Sequence, residues 1–298
     1  MSVKLASVAE MPWVLPGKIV TMPDRGEMFV RHFEHANPDR PTLLLLHGWT
    51  ATADLQFFTA YRELSRDYSI IAVDHRGHGR GLRPNKRFSI EDCADDAAEV
   101  VRALNVSSVI AVGYSMGGPI SMSVWRRHRS LVDALVLQAT SMEWSGTRRE
   151  RNGWRIGALM SPVIRSLTTP RTMRWAVRRA IPRGHELRPF VPWIVGEMRR
   201  NDKWMVSEAG QAIAKFDARP YAGTVDVPVS VVLTTSDRLV PPAKQRQLAE
   251  HTRADVVELD GDHFVTLENP SAYADATVSA IRSVESRLSS RPNAQPTP

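Results

Sequence analysis

The chain has 298 residues, 43% of them hydrophobic and 24% charged, with a formal net charge of +7. That is enough apolar material for a sizeable buried core, and it excludes a disordered or fibrous chain. Cys93 is the only cysteine, which excludes an internal disulfide framework, and residues 1–17 lack the continuous apolar stretch of a secretory signal, so a cytoplasmic protein is expected.

In chain order, short apolar runs at 42–46, 70–73, 109–112, 134–137, 229–233 and 256–259 read as strands buried on both faces. The stretches 54–65, 90–104, 116–128 and 242–251, with 272–288 closing the chain, have helical spacing and turn residues at their ends. Such alternation predicts an α/β fold with helices on both sides of a mostly parallel sheet. Cys93, inside 90–104, is expected to be a small buried apolar residue without chemistry.

The rhythm breaks between 141 and 220. Strand-like runs vanish there, five tryptophans appear (Trp144, Trp154, Trp175, Trp193, Trp204), and 14 Arg and 2 Lys stand against 7 acidic residues. We expect a helical cap inserted into one catalytic core made of 1–140 and 221–288, with 289–298 as a frayed polar tail. Within the insertion, 172–181 sets Met173, Val177 and Ala180 on one helical face and Arg171, Arg174 and Arg178 on another. Two readings fit: the apolar face packs on the core, or the basic cap makes peripheral contact with an anionic membrane. Nucleic acid is not expected as a partner, because no helix-turn-helix, zinc-ligand or RNA-binding signature accompanies the charge.

Chemistry concentrates at strand ends. Gly113-Tyr114-Ser115-Met116-Gly117 follows one strand and opens a helix, a turn tight enough to lift Ser115 clear of the sheet. A neutral hydroxyl is a poor nucleophile and needs a base. His263, in Gly261-Asp262-His263-Phe264 after the last strand, is the best candidate. The base needs a carboxylate to fix its tautomer, and Asp237 follows the run at 229–233, with Glu143 as a possible substitute. Asp260 and Asp262 read as turn residues. The oxyanion of an acyl intermediate would be held by the backbone N–H groups of Met116 and Trp49. Trp49 could equally be an aromatic pocket wall, and His47 a support for its loop. Asp74-His75-Arg76-Gly77-His78-Gly79-Arg80-Gly81 lacks the spacing of a phosphate loop and is expected to be a structural turn in which Arg76 pairs with Asp74.

These residues, in the order Ser, Asp, His and together with His47-Gly48-Trp49, resemble the α/β-hydrolase family over nearly the whole chain. The resemblance implies an eight-stranded, mostly parallel sheet with a helical cap after the sixth strand, and a two-step acyl-enzyme route with neither cofactor nor metal. It implies a serine hydrolase of the carboxylesterase or lipase kind acting on a small acyl substrate. Carbon–carbon bond hydrolysis, perhydrolysis, or a hydrolase fold used only for small-molecule binding are the alternatives the same residues leave open.

Overall fold

The computed structural model describes residues 10–290. Its strands are β1 (Gly17–Met22), β2 (Gly26–Phe33), β3 (Thr42–Leu46), β4 (Ser69–Val73), β5 (Val109–Tyr114), β6 (Val132–Gln138), β7 (Val229–Thr234) and β8 (Asp255–Leu259). They form one sheet in the order β1-β2-β4-β3-β5-β6-β7-β8. Pairing is parallel from β4 through β3 to β8, and antiparallel where β2 meets β1 and β4.

The six apolar runs read from the sequence are β3 to β8; the two remaining strands form an N-terminal hairpin that those runs do not contain. The hairpin alternates instead, with Val20, Met22, Met28 and Val30 buried between exposed or half-exposed neighbours. That is the pattern of a sheet edge with one wet face.

Helices α1 (Ala53–Leu64), α2 (Ile90–Ala103) and α3 (Gly117–Arg127) cover the first half of the sheet. Successive side chains of a strand point to opposite faces, and the core divides accordingly. Leu43, Leu45, Ile70, Ala72, Ile110 and Val112 pack with Phe57 and Tyr61 of α1, whereas Leu44, Leu46, Ile71, Val73 and Ala111 pack with α2 and α3. Cys93 of α2 is buried in the second layer, and burial pushes its thiol well up from its ordinary value.

After β6 the chain leaves the sheet to form α4 (Arg148–Leu167), α5 (Pro170–Ala180), α6 (Val191–Met198) and α7 (Lys203–Lys215), and it returns to β7. A single antiparallel bridge, Glu143 with Asp217, closes the neck of this insertion, and Ala218 N donates to Met142 O at 2.7 Å beside it. On α5, Met173 packs inward and Val177 is buried, while Ala180 is exposed with the arginines. Then come α8 (Pro242–Thr252), the short α9 (Val265–Glu268) and α10 (Pro270–Ser289), whose Tyr273 and Ile281 complete the layer with α1. The last helix takes in Ser289, the first residue of the expected tail. The rest of that tail beyond 290, like the first nine residues of the 1–17 stretch, lies outside the described residues. Among the described residues, no helix is long and apolar enough to cross a membrane.

Candidate active site

The sheet brings the ends of β5, β7 and β8 to one edge, and the candidate residues sit just past them. Ser115 directly follows β5 in the left-handed region, at φ +52°. For a residue with a Cβ this conformation costs on the order of 1–3 kcal/mol. Three bonds hold it: Ser115 N donates to Gln138 O at 2.9 Å, and its carbonyl accepts from Gly118 N at 2.9 Å and from Thr140 Oγ1 at 2.8 Å. The turn closes only because both flanking positions lack side chains. A Cβ on Gly117 would strike the carbonyl of Leu46 in β3, and one on Gly113 would strike the carbonyl of Gly117.

His263 lies in the loop between β8 and α9. Its Nε2 is 3.0 Å from Ser115 Oγ, and its Nδ1 is 2.7 Å from Asp237 Oδ2. With the proton on Nδ1, the ring donates to Asp237 and Nε2 is left to accept from the serine hydroxyl. Asp237 is buried and held at both oxygens. Oδ1 accepts from the amides of Leu239 and Val240, both at 2.8 Å; Oδ2 accepts from Thr234 Oγ1 at 2.9 Å and from Gln245 Nε2 at 3.4 Å. Glu143 stands elsewhere. It accepts from Ser145 N and pairs at 2.7 Å with Lys244, which also binds Glu150 of α4, so it clamps the base of the insertion.

Several supporting residues give no signal in the sequence. Tyr114 donates its hydroxyl to the backbone carbonyl of His263 at 2.8 Å, so the residue before the serine anchors the histidine loop. Gln245, on α8, donates to Val240 O and Thr234 Oγ1 and so fixes the loop carrying Asp237. Asp262 accepts from the amides of both Arg238 and His263, stitching the acid loop to the base loop. Burial pushes the Asp262 carboxyl up, but those two amides and the nearby positive charge outweigh it and hold the group below its usual range. Tyr114 and Asp262 lay inside motifs and Gln245 in none, and all three act through spatial neighbours that a linear pattern does not reveal.

The loop after β3 lies against the serine, since a Cβ on Gly48 would be 3.3 Å from Ser115 Cβ. His47 is fully buried. Its Nε2 accepts from His75 N at 2.9 Å, its Nδ1 donates to Gly48 O at 2.7 Å, and burial lowers its pKa to about 4. It is a neutral brace for the Gly48–Trp49 turn. Met116 is buried at the start of α3 in helical conformation. The indole of Trp49 points away from the sheet, donates from Nε1 to Val206 O of α7 at 2.7 Å, and lies 5.9 Å from the ring of Trp154. It forms one wall of a largely apolar cavity of about 580 Å³, lined also by Trp154, Ala158, Met173, Val206 and Gly210. Trp49 therefore belongs both to the serine's surroundings and to the insertion.

The segment 74–81 is a pair of tight turns, with Gly77 and Gly79 at positive φ. One expectation about it is overturned. Arg76 pairs with Asp96 and Asp92 on α2, not with Asp74. Asp74 instead accepts backbone N–H groups from Ala53 and Arg80, both at 2.7 Å, because it lies buried at the start of α1 where unpaired amides need an acceptor. The same segment docks the insertion: Arg80 pairs with Glu197, Asn201 Oδ1 accepts from Gly79 N, and Asn201 Nδ2 donates to Thr50 O at 2.7 Å.

A family model described as alpha/beta hydrolase fold matches residues 41–270. The chain is 24% identical over 236 residues to the AB hydrolase superfamily protein YisY of Bacillus subtilis, covering 76% of this chain and 83% of that one. In structure it is similar to an esterase from Exiguobacterium antarcticum (TM-score 0.76, 19% identity, 90% of this chain and all of the other). It is also similar to the enol-lactonase of Burkholderia xenovorans (TM-score 0.74, 22% identity, 89% of this chain and all of the other).

Proposed function

Because the chain belongs to the α/β-hydrolase fold family, we propose that it is a serine hydrolase that cleaves carboxylic esters with an apolar acyl part. The observation that carries this reading is the unbroken chain of contacts from Ser115 Oγ through His263 to Asp237, at 3.0 and 2.7 Å.

In the first half-reaction Ser115 Oγ attacks the ester carbonyl while His263 Nε2 takes its proton, and Asp237 stabilises the imidazolium. The carbonyl oxygen becomes an oxyanion that the amides of Trp49 and Met116 receive, each such donor worth about 2.7–4 kcal/mol of transition-state stabilisation. Collapse breaks the bond to the alkoxy group, which leaves as the alcohol with the proton held by His263. Water then attacks the acyl-enzyme, gives a proton to His263, and collapse releases the acid and restores Ser115. The insertion serves as a cap, with the apolar cavity behind Trp49 taking the acyl chain. The backbone and the indole of one residue then couple chain binding to the oxyanion site.

Labelling with a fluorophosphonate probe, with mass spectrometry of the modified peptide, tests the reading alongside a p-nitrophenyl ester series from short to long chains. Modification at Ser115 and turnover that varies with chain length are expected. Folded protein that neither labels nor turns over any ester would overturn the proposal, and cleavage of a β-diketone without ester turnover would replace it with carbon–carbon bond hydrolysis.

A further inference from the structure

A helix with an apolar stripe normally turns it toward the protein. Helix α4 does the reverse. Ile156, Leu159, Met160, Val163 and Leu167 are all exposed, Leu159 by 79%. At the helical repeat they fall within an arc of about 100°. Trp154, Gly157, Ala158 and Ser161, which line the cavity reaching Trp49, lie on the opposite face. Trp204 of α7, 68% exposed, lines a smaller pocket with Ser161 beside the same helix.

The charge of the segment that carries this stripe is one-sided. Between 148 and 183 the sequence holds ten arginines and a single acid, Glu150. That acid is already paired with Lys244 of α8. Among the described residues, Arg148, Arg149, Arg171, Arg174, Arg178 and Arg179 make no ion pair.

We propose that the outer face of α4 is a docking surface for an anionic phospholipid bilayer. A second copy of the chain is disfavoured as the occupant because two such faces carry the same strong positive charge. The stripe lies on the outer side of α4, opposite the face that lines the cavity. An anionic bilayer matches both features: headgroups answer the arginines, and the interfacial region receives the aliphatic stripe and the tryptophan. Docked in this way, α4 would lie between the bilayer and the cavity, so that an acyl chain leaving the membrane enters beside Trp49. That last step rests on the hydrolase reading; the docking does not.

Sedimentation with vesicles of pure phosphatidylcholine and of phosphatidylcholine mixed with phosphatidylglycerol tests the proposal, using Ser115→Ala protein so that no lipid is consumed. Binding to the anionic vesicles only, weakened by salt, is expected. Leu159→Glu, an exposed position, should lower binding on the order of tenfold or more while its wild-type-active counterpart keeps full turnover of a short soluble ester. The double variant Arg148→Gln with Arg149→Gln should lose most of the anionic preference. Equal binding to both vesicles, no binding, or unchanged binding by Leu159→Glu would overturn the docking. So would self-association without lipid that Leu159→Glu abolishes. Normal sedimentation by a protein with no ester turnover would instead sink the hydrolase reading and leave the docking standing.

Discussion

Helices α3 and α4 differ as sharply as two helices of one chain can. The first buries nine of its eleven residues, Gly117 to Trp125, against both neighbouring strands and α2. The second has only Glu150, Trp154 and Ser161 half-buried among its described side chains, and the rest are exposed. Helices draw most of their stability from packing, so α3 is over-determined and α4 is held mainly by its ends and one face. The contrast follows what each carries. A turn that must present one oxygen to one nitrogen within hydrogen-bond distance needs every neighbour fixed, while a helix that meets something outside the protein keeps its surface unspent.

The largest test of this contrast is at the fixed end. Ser115→Ala or His263→Ala should each lower kcat by a factor on the order of 10⁶ if the two act as a unit, measured as ester turnover by purified, folded protein. Near-normal turnover in either would dissolve the distinction between the two regions.

Next comes the acid. Asp237→Asn should reduce kcat about 10⁴-fold, whereas Glu143→Gln should spare turnover and instead lower the melting temperature, since it breaks the clamp to Lys244. The reverse pattern would reassign the triad.

The same small substitution should also act with opposite sign in the two helices. Gly117→Ala forces a Cβ into the Leu46 carbonyl and should cost more than about 4 kcal/mol in denaturant unfolding. Gly153→Ala in α4 meets nothing within 4 Å and should stabilise by about 0.5–1 kcal/mol. Equal effects would mean that the two helices are packed alike.

At least as large as the first of these is a pH effect confined to the core. Burial holds His47 neutral with its pKa near 4 and His78 near 3, and it lowers His75 well below its ordinary value. All three protonate near pH 6.5 once unfolded. Below pH 6.5 the unfolded chain therefore binds more protons, and stability is lost as pH falls. The slope is about 1.4 kcal/mol per unit for each histidine until the folded-state values are approached, and it is absent above neutrality. Urea midpoints at pH 7 and pH 5 measure it. Equal midpoints would show that the cluster is wetter than its burial implies.

The sequence made some of this legible and hid the rest for physical reasons. Central parallel strands are apolar on both faces, so β3 to β8 stand out as continuous runs, while the edge hairpin alternates and escapes that reading. Ser115, Asp237 and His263 could be picked out because each follows a strand end, and all the parallel strands end at one edge. Gln245 and Asp262 were not legible as braces, because their partners are set by the packing of α8 and the meeting of two loops. The pairing of Arg76 with Asp74 failed for the same reason: adjacency along the chain lost to the proximity of α2 across the sheet. On α5 the sequence left two readings open, and Met173 and Val177 turn inward as the packing reading expects; the open stripe belongs to α4, whose two-sided apolar character blurs its period.

The bridge between Glu143 and Asp217 gives the insertion a further property. Closing a flexible loop becomes only slowly more costly as the loop lengthens, and here both ends are fastened at one point on the sheet's rim. The strands before and after it pair directly, β6 with β7, so the sheet's cooperativity does not run through the helices above. The outer helices α4 and α5 can then lose order while the sheet, with α6 and α7 packed into its core, stays intact. In hydrogen exchange, the amides of α4 and α5 should form a fast population of their own, distinct from the slow protons of β3 and β5. Successive replacements of those helices could retune what the protein touches without redesigning the turn at Ser115.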